Sequence, residues 1–305
     1  MLYLSPTYDK GKFMKKLAVF TMLIICMLTF TVCFSACNEV DVKCDDLNDG
    51  QIRIMSANLR CITSQDTGSR AWKHRKNLVA TNFQQVKPSI IGMQEVTPRQ
   101  YADCKKILKN YNSVITYRDN SDKSEGCPIF YYSDLYTLLS SGTFWLSETP
   151  DVVSKSWGAA YHRICTYVML RDNRTRKEFA VFNTHLDNVS EQARVNGMGV
   201  ILDKISSIGN YPTVIMGDFN ATEDSQAYLA ATEALWDVKY QVDNDCVNSA
   251  TYHNWGKRLD YPPIDFLFVT QTGFAVNSYE VVTATYNGQY PSDHFPIVTV
   301  LTLTD

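Results

Sequence analysis

Alternating strand-like and helix-like segments dominate residues 51–305 and limit the folds open to this chain. QIRIMSANL alternates in polarity as a strand does, and RAWKHRKNLVATNFQQVKP has helical spacing that stops at Pro88. A second strand, SIIGMQEV, and a second helix, TPRQYADCKKILKNY, follow. This opening predicts an α/β fold in which helices cover the faces of a sheet.

The rest of the chain is rich in strands and contains two more predicted helices, at residues 190–208 and in QAYLAATEAL. The predicted strands are PIFYY, YTLLSSGTFWL, ICTYVMLRD, KEFAVFNTHL, PTVIMGDFN, PPIDFLFVT, SYEVVTATY and HFPIVTVLTL. No Pro/Gly/Ser linker divides residues 51–305. We therefore predict one domain of two stacked sheets with helices on the outer faces.

Residues 1–36 have the layout of a secretion signal. Basic residues precede a charge-free apolar run at residues 17–34, and Cys37 follows Phe-Ser-Ala. This is similar to the lipidation site of bacterial lipoproteins, so we expect lipid on Cys37 and a tether at residues 37–50. An uncleaved anchor is the alternative, because the run approaches bilayer-spanning length. Either arrangement holds the domain at a bacterial membrane, outside the cytoplasm.

The charge of the chain argues against a polyanionic partner. Residues 1–36 hold four lysines and one aspartate, and their removal leaves 25 basic and 31 acidic residues, a net charge of −6. Such a surface is poorly suited to neutralising nucleic-acid phosphates. We expect a monomer that acts on a small molecule or a lipid headgroup rather than on DNA.

Polar residues of metal- and phosphate-binding types recur where the apolar strands end. In VIMGDFNAT, Asp218 and Asn220 are two residues apart and face the same way on an extended chain. A proton acceptor beside an amide that can hold water suits water activation, although an Asx-type turn gives the same pattern. Gly217 would let another backbone approach closely. The full set is Asn58, Glu95, His185, Asp218, Asn220, Asp265, Asp293 and His294.

Two acids of this set lie in or directly after strongly apolar sequence. Glu95 follows IIGMQ and fits either the first turn of the next helix or a hard cation such as Mg²⁺. Asp265 lies inside an apolar strand, where burial of a carboxylate is costly without a partner. His294 is the natural partner, because a carboxylate fixes the tautomer of an imidazole and supports its charge.

The ordered motifs SANLR, IIGMQEV, FNTHLDN, MGDFNAT, IDFLFV and SDHFPI resemble those of the endonuclease/exonuclease/phosphatase superfamily, from about Gln51 to the C-terminus. The resemblance implies a four-layer α/β sandwich that cleaves phosphodiesters or phosphomonoesters with Mg²⁺ or Mn²⁺. The segment EGCPIFYYSDLYTLLSSGTFWLSETPD is similar to secreted or envelope bacterial members.

The resemblance also implies roles on the metal side of a site. Glu95 would be the main metal ligand, with Asn58 and Asp293 close to the ion. Asp218 would orient or deprotonate the attacking water, and Asn220 would hold water or a phosphoryl oxygen.

The remaining roles concern the phosphate. His294, paired with Asp265, would contact the phosphate, and His185 would bind a non-bridging oxygen. Arg163 in YHRICTY would add a further phosphate contact. Asp218 and His294 both fit as the general base, so the resemblance leaves that choice open.

Two residues depart from the pattern of the relatives. Asn188 replaces a histidine that many bacterial members carry, and Tyr132 replaces a basic residue. Both are expected near the substrate mouth, where they affect specificity rather than chemistry.

Three other functions remain open at this level. They are an envelope nuclease, a binding protein that keeps the fold without activity, and a sphingomyelinase-like toxin. The last would need an exposed aromatic hairpin, for which Phe144 and Trp145 are candidates that better suit a core.

Overall fold

The computed structural model describes residues 42–44, 46–243, 245–246 and 249–305. The predicted leader and Cys37 lie outside the described residues. Within the described part of the chain, no helix has the length and apolarity needed to cross a bilayer.

The described residues form twelve strands and four α-helices, and the order of these elements follows the predicted strand and helix segments. The strands are β1 (Gln51–Asn58), β2 (Ile90–Gln94), β3 (Tyr111–Val114), β4 (Ile129–Tyr132), β5 (Tyr136–Trp145), β6 (Ile164–Asp172), β7 (Glu178–His185), β8 (Thr213–Asp218), β9 (Leu235–Asp237), β10 (Asp265–Thr270), β11 (Phe274–Val281) and β12 (Ile297–Leu303). The helices are α1 (Trp72–Val86), α2 (Pro98–Ile107), α3 (Glu191–Ile208) and α4 (Gln226–Ala234). Only the short strands β3 and β9 were not expected.

The strands build two mixed six-stranded sheets. Their orders are β11-β12-β1-β2-β4-β3 and β5-β6-β7-β8-β10-β9. Each sheet holds one parallel pair near its centre, β1 with β2 and β7 with β8. Helices α1 and α2 pack on the outer face of the first sheet, and α3 and α4 pack on that of the second. This arrangement confirms the predicted four-layer α/β sandwich.

The apolar core follows from strands that are buried on both faces. On β1, Ile54 packs between the sheets, whereas the next residue, Met55, packs in the layer with Val79 and Phe83 of α1. Successive strand residues point to opposite faces, so burial of both requires cover on both sides. The predicted core role of Phe144 and Trp145 is also confirmed, because both side chains are buried.

A polar contact joins the two sheets close to the strand ends. Gln94 Nε2 donates to Asn183 Oδ1 at 2.7 Å, and Asn183 Nδ2 donates to the carbonyls of Met93 at 2.8 Å and Pro128 at 2.9 Å. Both residues are fully buried, so these bonds avoid the desolvation cost of Gln94 Nε2 and of both polar atoms of Asn183, whereas Gln94 Oε1 is buried without a hydrogen-bond partner. The contact fixes how the ends of β2 and β7 face each other.

Packing extends into the segment expected to be a tether, and one expectation about a peripheral residue needs correction. Val42 and Cys44 are buried against the outer layer of the first sheet, so packing of the domain begins within the segment expected to be a tether. Tyr132 does not lie near the strand ends that carry the polar residues. Since β4 runs antiparallel to β2 with Tyr131 opposite Ile90, Tyr132 lies at the other edge, with its ring 5.2 Å from that of Tyr111.

Candidate active site

The polar residues predicted from strand ends come together at one edge of the two sheets. Strands β1, β2, β7 and β8 end there, and β10 begins there because it pairs antiparallel with β8, placing Asp265 opposite Asp218. The chain also enters β12 from this edge, since β12 runs antiparallel to β1. The rigid sheets therefore hold side chains from both halves of the chain in one cluster.

Asn58 links the carboxylates of the two sheets. Its Nδ2 donates to Glu95 Oε1 at 3.2 Å and to Asp218 Oδ2 at 3.0 Å, while its Oδ1 accepts from the N–H of Arg60 at 2.9 Å. Glu95 Oε2 accepts a further bond from the N–H of Cys61 at 2.8 Å. Asn58 thus donates to both carboxylates in this structure. Its expected role close to a metal stays a prediction.

Glu95 is held as a carboxylate. Burial alone would raise its pKa, but nearby imidazoles and the donors from Cys61 and Asn58 lower the pKa to about 2. His185 could contribute only when charged, and burial followed by the charge of Arg163 keeps the pKa of His185 well below 6.5. At neutral pH the stabilisation of Glu95 therefore comes from His294 and the N–H donors.

The predicted pairing of His294 with Asp265 is confirmed. His294 Nδ1 lies 2.9 Å from Asp265 Oδ2, and both residues are buried. Burial alone would lower the pKa of His294, but the charge and hydrogen bond of Asp265, assisted by Asp218, raise it to about 10. His294 is therefore an imidazolium at neutral pH, with its Nε2 3.8 Å from Asp218 Oδ2.

Asp218 has the properties of a proton acceptor near neutral pH. Burial, and then the like charge of Asp265, raise the pKa of Asp218 to about 7, while His294 opposes the rise. A general base works best when its pKa is near the working pH. The N–H of Asn220 and the amide of Asn58 donate to the two oxygens of this carboxylate.

His185 and Asn220 form a second contact pair at the same edge. Asn220 Nδ2 donates to His185 Nε2 at 2.8 Å and to the carbonyl of Leu186 at 3.2 Å. The neutral state of His185 fits this bond, because only an unprotonated Nε2 accepts. His185 Nε2 also lies 3.5 Å from Asp218 Oδ2, so the pair borders the proposed proton acceptor.

Asp293 and Arg60 bring two further charges to the cluster. Asp293 Oδ2 is 3.8 Å from Arg60 Nε, which also donates to Asp66 at 3.0 Å. Burial raises the pKa of Asp293, and the charge of Glu95 adds to the rise although His294 and Arg60 oppose it. The main cause of the raised pKa is therefore the loss of solvent around this carboxylate.

Arg163 is buried beside the cluster instead of lying on the surface. Its Nη2 donates to Asn188 Oδ1 at 3.0 Å, and its Nε lies 3.5 Å from Asp187 Oδ2. Together with Glu95 and His185 it borders a small recess, whose lining also includes Arg118 and Glu125. Arg163 is thus positioned close to the site with Asn188 beside it, and a phosphate contact by Arg163 stays a prediction.

The backbone at this edge is strained. Arg60, Glu95 and Asn220 have positive φ values of 53°, 61° and 49°, which non-glycine residues rarely adopt. Such conformations persist only where the surrounding structure enforces them, and they concentrate at functional sites. Gly217 has a φ of 155°, and a Cβ there would collide with the carbonyl oxygen of Thr184 on β7. The predicted close backbone approach is confirmed.

The donor set of the cluster fits a hard divalent cation. Ligand atoms of Glu95, His185 and Asp218 lie within 4.8 Å of one another, as do those of Asp218, Asp265 and His294. Asp293 belongs to neither set within the described residues, yet the charge of Glu95 reaches it. Several carboxylates close together suit Mg²⁺ or Mn²⁺, which prefer oxygen ligands.

Arg75 connects the loops of the site, and no sequence pattern predicted this role. This fully buried guanidinium donates to the carbonyls of Leu59 and Pro291 at 2.8 Å, Arg60 at 3.0 Å and Arg70 at 2.6 Å. It therefore ties the loop after β1 to the loop before β12. Because its partners are backbone carbonyls, Arg75 has no acidic partner residue that could be identified from the sequence.

Comparison with known proteins agrees with this geometry. A profile of the Endonuclease/Exonuclease/phosphatase family matches residues 55–294. An endonuclease/exonuclease/phosphatase family protein from Bacteroides thetaiotaomicron is 32% identical with a TM-score of 0.79, over 84% of this chain and 98% of that one. A mannosyl-6-phosphatase of the same organism is 33% identical with a TM-score of 0.78, over 83% of this chain and all of that one. Nocturnin of Drosophila melanogaster is 24% identical, over 74% of this chain but 41% of its own length.

Proposed function

Because the chain belongs to the endonuclease/exonuclease/phosphatase family, we propose that it is a Mg²⁺- or Mn²⁺-dependent hydrolase of small phosphoesters, tethered at the cell envelope through Cys37. The observation that carries the proposal is the buried arrangement of Asp218 between the imidazolium of His294 and the amide of Asn58. This arrangement places a proton acceptor, Asp218, next to a positively charged group, His294, that can bind a phosphoryl oxygen.

The metal side of the site would consist of Glu95, Asn58 and Asp293. A bound divalent cation would offset charge on the phosphate and on the leaving oxygen. The strained backbone of Glu95 and its bond from the N–H of Cys61 hold this carboxylate in place before substrate arrives. Such preorganisation lowers the cost of arranging charges during the reaction.

The general base is assigned to Asp218. Its pKa of about 7 lets it accept a proton from water, whereas His294, with a pKa of about 10, already carries one. His294 instead donates a hydrogen bond to a phosphoryl oxygen from the position that Asp265 fixes. Asn220, His185 and Arg163 orient the remaining oxygens.

Hydrolysis by the purified full chain in detergent tests this function. p-Nitrophenyl phosphate and bis(p-nitrophenyl) phosphate represent monoesters and diesters, each assayed with Mg²⁺, with Mn²⁺ and with EDTA. We expect metal-dependent cleavage of at least one ester, and loss of about a thousandfold in kcat/KM for Glu95→Gln and for His294→Ala.

The matched control for the acid is Glu280→Gln, because Glu280 is exposed on β11. It should retain wild-type kinetics. Wild-type rates in either site variant, or activity that survives EDTA, would contradict the proposed site.

A further inference from the structure

A groove of about 430 Å³ opens next to the proposed reaction centre. This volume is within the range of small-molecule sites and is too small for a polymer to lie across with all its groups enclosed. The groove lining comes from three segments, within residues 188–194, 220–225 and 252–264.

The groove is continuous with the phosphate-binding side of the site. Tyr252 pairs with His294 through a backbone bridge, and its ring centroid lies 5.0 Å from that of the imidazole. Asn220, which contacts His185, lies on the same wall, and Asn188 connects the groove to Arg163. A group esterified to a phosphate held at His294 would therefore extend into this groove.

The charge and polarity of the groove lining disfavour leaving groups that are anionic or strongly apolar. The lining contains two acidic residues, Glu191 and Asp224, and two basic residues, Arg194 and Arg258, so its net charge is zero. A polynucleotide or polyphosphate needs a clearly basic path, which this groove does not offer. A lipid tail needs apolar walls, whereas most of the lining side chains are polar.

Two aromatic rings give the groove a shape suited to a polyhydroxylated ring. The rings of Tyr252 and Tyr261 lie 6.3 Å apart at 84°, and both residues are only partly buried. Arg258 lies over Tyr261 at 5.2 Å, which holds the guanidinium beside the aromatic face. Aromatic faces cover the C–H surface of a sugar, while arginine, amide and carboxylate groups bond its hydroxyls.

We propose that this groove binds the sugar of a phosphorylated sugar, an uncharged unit of about hexose size. The inference rests on the proposed function and names its substrate class. Water adds to phosphorus, the phosphorus–oxygen ester bond breaks, and its electron pair leaves with the sugar oxygen. Asp218 takes one proton from the water, and the sugar oxygen gains one from solvent, so inorganic phosphate and a free sugar result.

Phosphate release by the full chain in Mg²⁺ tests the proposal across several leaving groups. The substrates are mannose 6-phosphate, glucose 6-phosphate, glycerol 3-phosphate, AMP and p-nitrophenyl phosphate. We expect at least one hexose phosphate to exceed glycerol 3-phosphate and AMP in kcat/KM by about tenfold or more.

Substitutions in the groove lining test whether these residues cause the preference for hexose phosphates. Tyr261→Ala and Arg258→Gln should each reduce the ratio of kcat/KM for hexose phosphate over p-nitrophenyl phosphate by about tenfold. Tyr261→Phe keeps the ring and should restore most of the ratio. Tyr240→Ala is the matched control, since Tyr240 is 54% exposed on the turn after β9.

The results separate this proposal from the function on which it rests. Cleavage of p-nitrophenyl phosphate without a preference for hexose phosphate overturns the groove assignment alone. Equal losses on every substrate in Tyr261→Ala and Arg258→Gln also overturn it, because they indicate a structural role. Absence of hydrolysis with any substrate and metal overturns both proposals.

Discussion

Substitution of Arg75 by lysine should destabilise the protein and loosen the loops that carry Asn58 and Asp293. In the native structure one guanidinium bonds carbonyls from the loop after β1 and from the loop before β12. It also lies 5.5 Å from the ring of Trp72 and 5.3 Å from that of Trp255. Burial lowers the pKa of Arg75 to about 10, so the side chain remains charged at neutral pH.

The expected loss follows from the number of carbonyls left without a partner. Lysine keeps the charge, but its three N–H donors share one nitrogen, so at least one of the four carbonyls loses its donor. Because the four carbonyls are bonded by three separate nitrogens of the planar guanidinium, we expect two of them to lose their donor. Each unpaired buried carbonyl costs about 1–3 kcal/mol. Weaker contact with the two indole rings adds about 0.5–1 kcal/mol. We therefore expect Arg75→Lys to lower the free energy of unfolding by about 3–5 kcal/mol.

Urea denaturation followed by circular dichroism measures this loss, and a Mg²⁺ titration of hydrolysis measures the loop effect. The Mg²⁺ concentration at half-maximal rate should rise in Arg75→Lys, because Asn58 and Asp293 are held less firmly. Arg99→Lys is the matched control, since the Arg99 side chain is 77% exposed and should change stability by less than about 0.5 kcal/mol. A loss below about 1 kcal/mol in Arg75→Lys would refute the reasoning.

Three further changes test separate parts of the structure. Pairing with Asp265 raises the pKa of His294 from 6.5 to about 10. The pair therefore stabilises the fold fully below pH 6.5, and this stabilisation is lost as the pH rises through about 10. The difference in unfolding free energy between wild type and Asp265→Asn, measured in EDTA, should shrink over that range, and a constant difference would argue against the pair. Gly217→Ala should lower the free energy of unfolding by about 3 kcal/mol in urea, because its Cβ meets the Thr184 carbonyl, and a tolerated alanine would show that this approach is not tight. Cys37→Ala should abolish partitioning of the full chain into a detergent phase, whereas retained partitioning would favour an uncleaved anchor.

The sequence predicted the layers and most of the polar cluster because both depend on local patterns. Alternation and helical spacing mark the strands and helices. An acid inside an apolar strand, such as Asp265, requires a partner, and His294 at the start of another apolar strand was the natural candidate. The polar residues at strand ends meet because parallel and antiparallel strands bring those ends to one edge. The roles of these residues in catalysis remain predictions.

Other features depended on tertiary contacts that leave no local pattern. Arg75 appears in sequence as one of several basic residues in a helix, and its acceptors are backbone carbonyls. Tyr132 was placed near the mouth, but the direction of β4 puts it at the opposite edge. The groove beside His294 forms from loops that are far apart in sequence, so neither its volume nor its balanced charge was predictable.

The pairing of β1 with β12 sets the order in which a growing chain can complete this cluster. Gln51 lies opposite Thr302, so the first sheet closes only when residues 51–302 are all available. Long-range pairing of this kind delays folding until the distant partner is present. A product that stops before residue 294 also lacks the imidazolium that Asp265 binds. Activity from this site would therefore require β1, β12 and the loop between Asp265 and His294 in one product, so truncation before β12 should remove the fold and the site together.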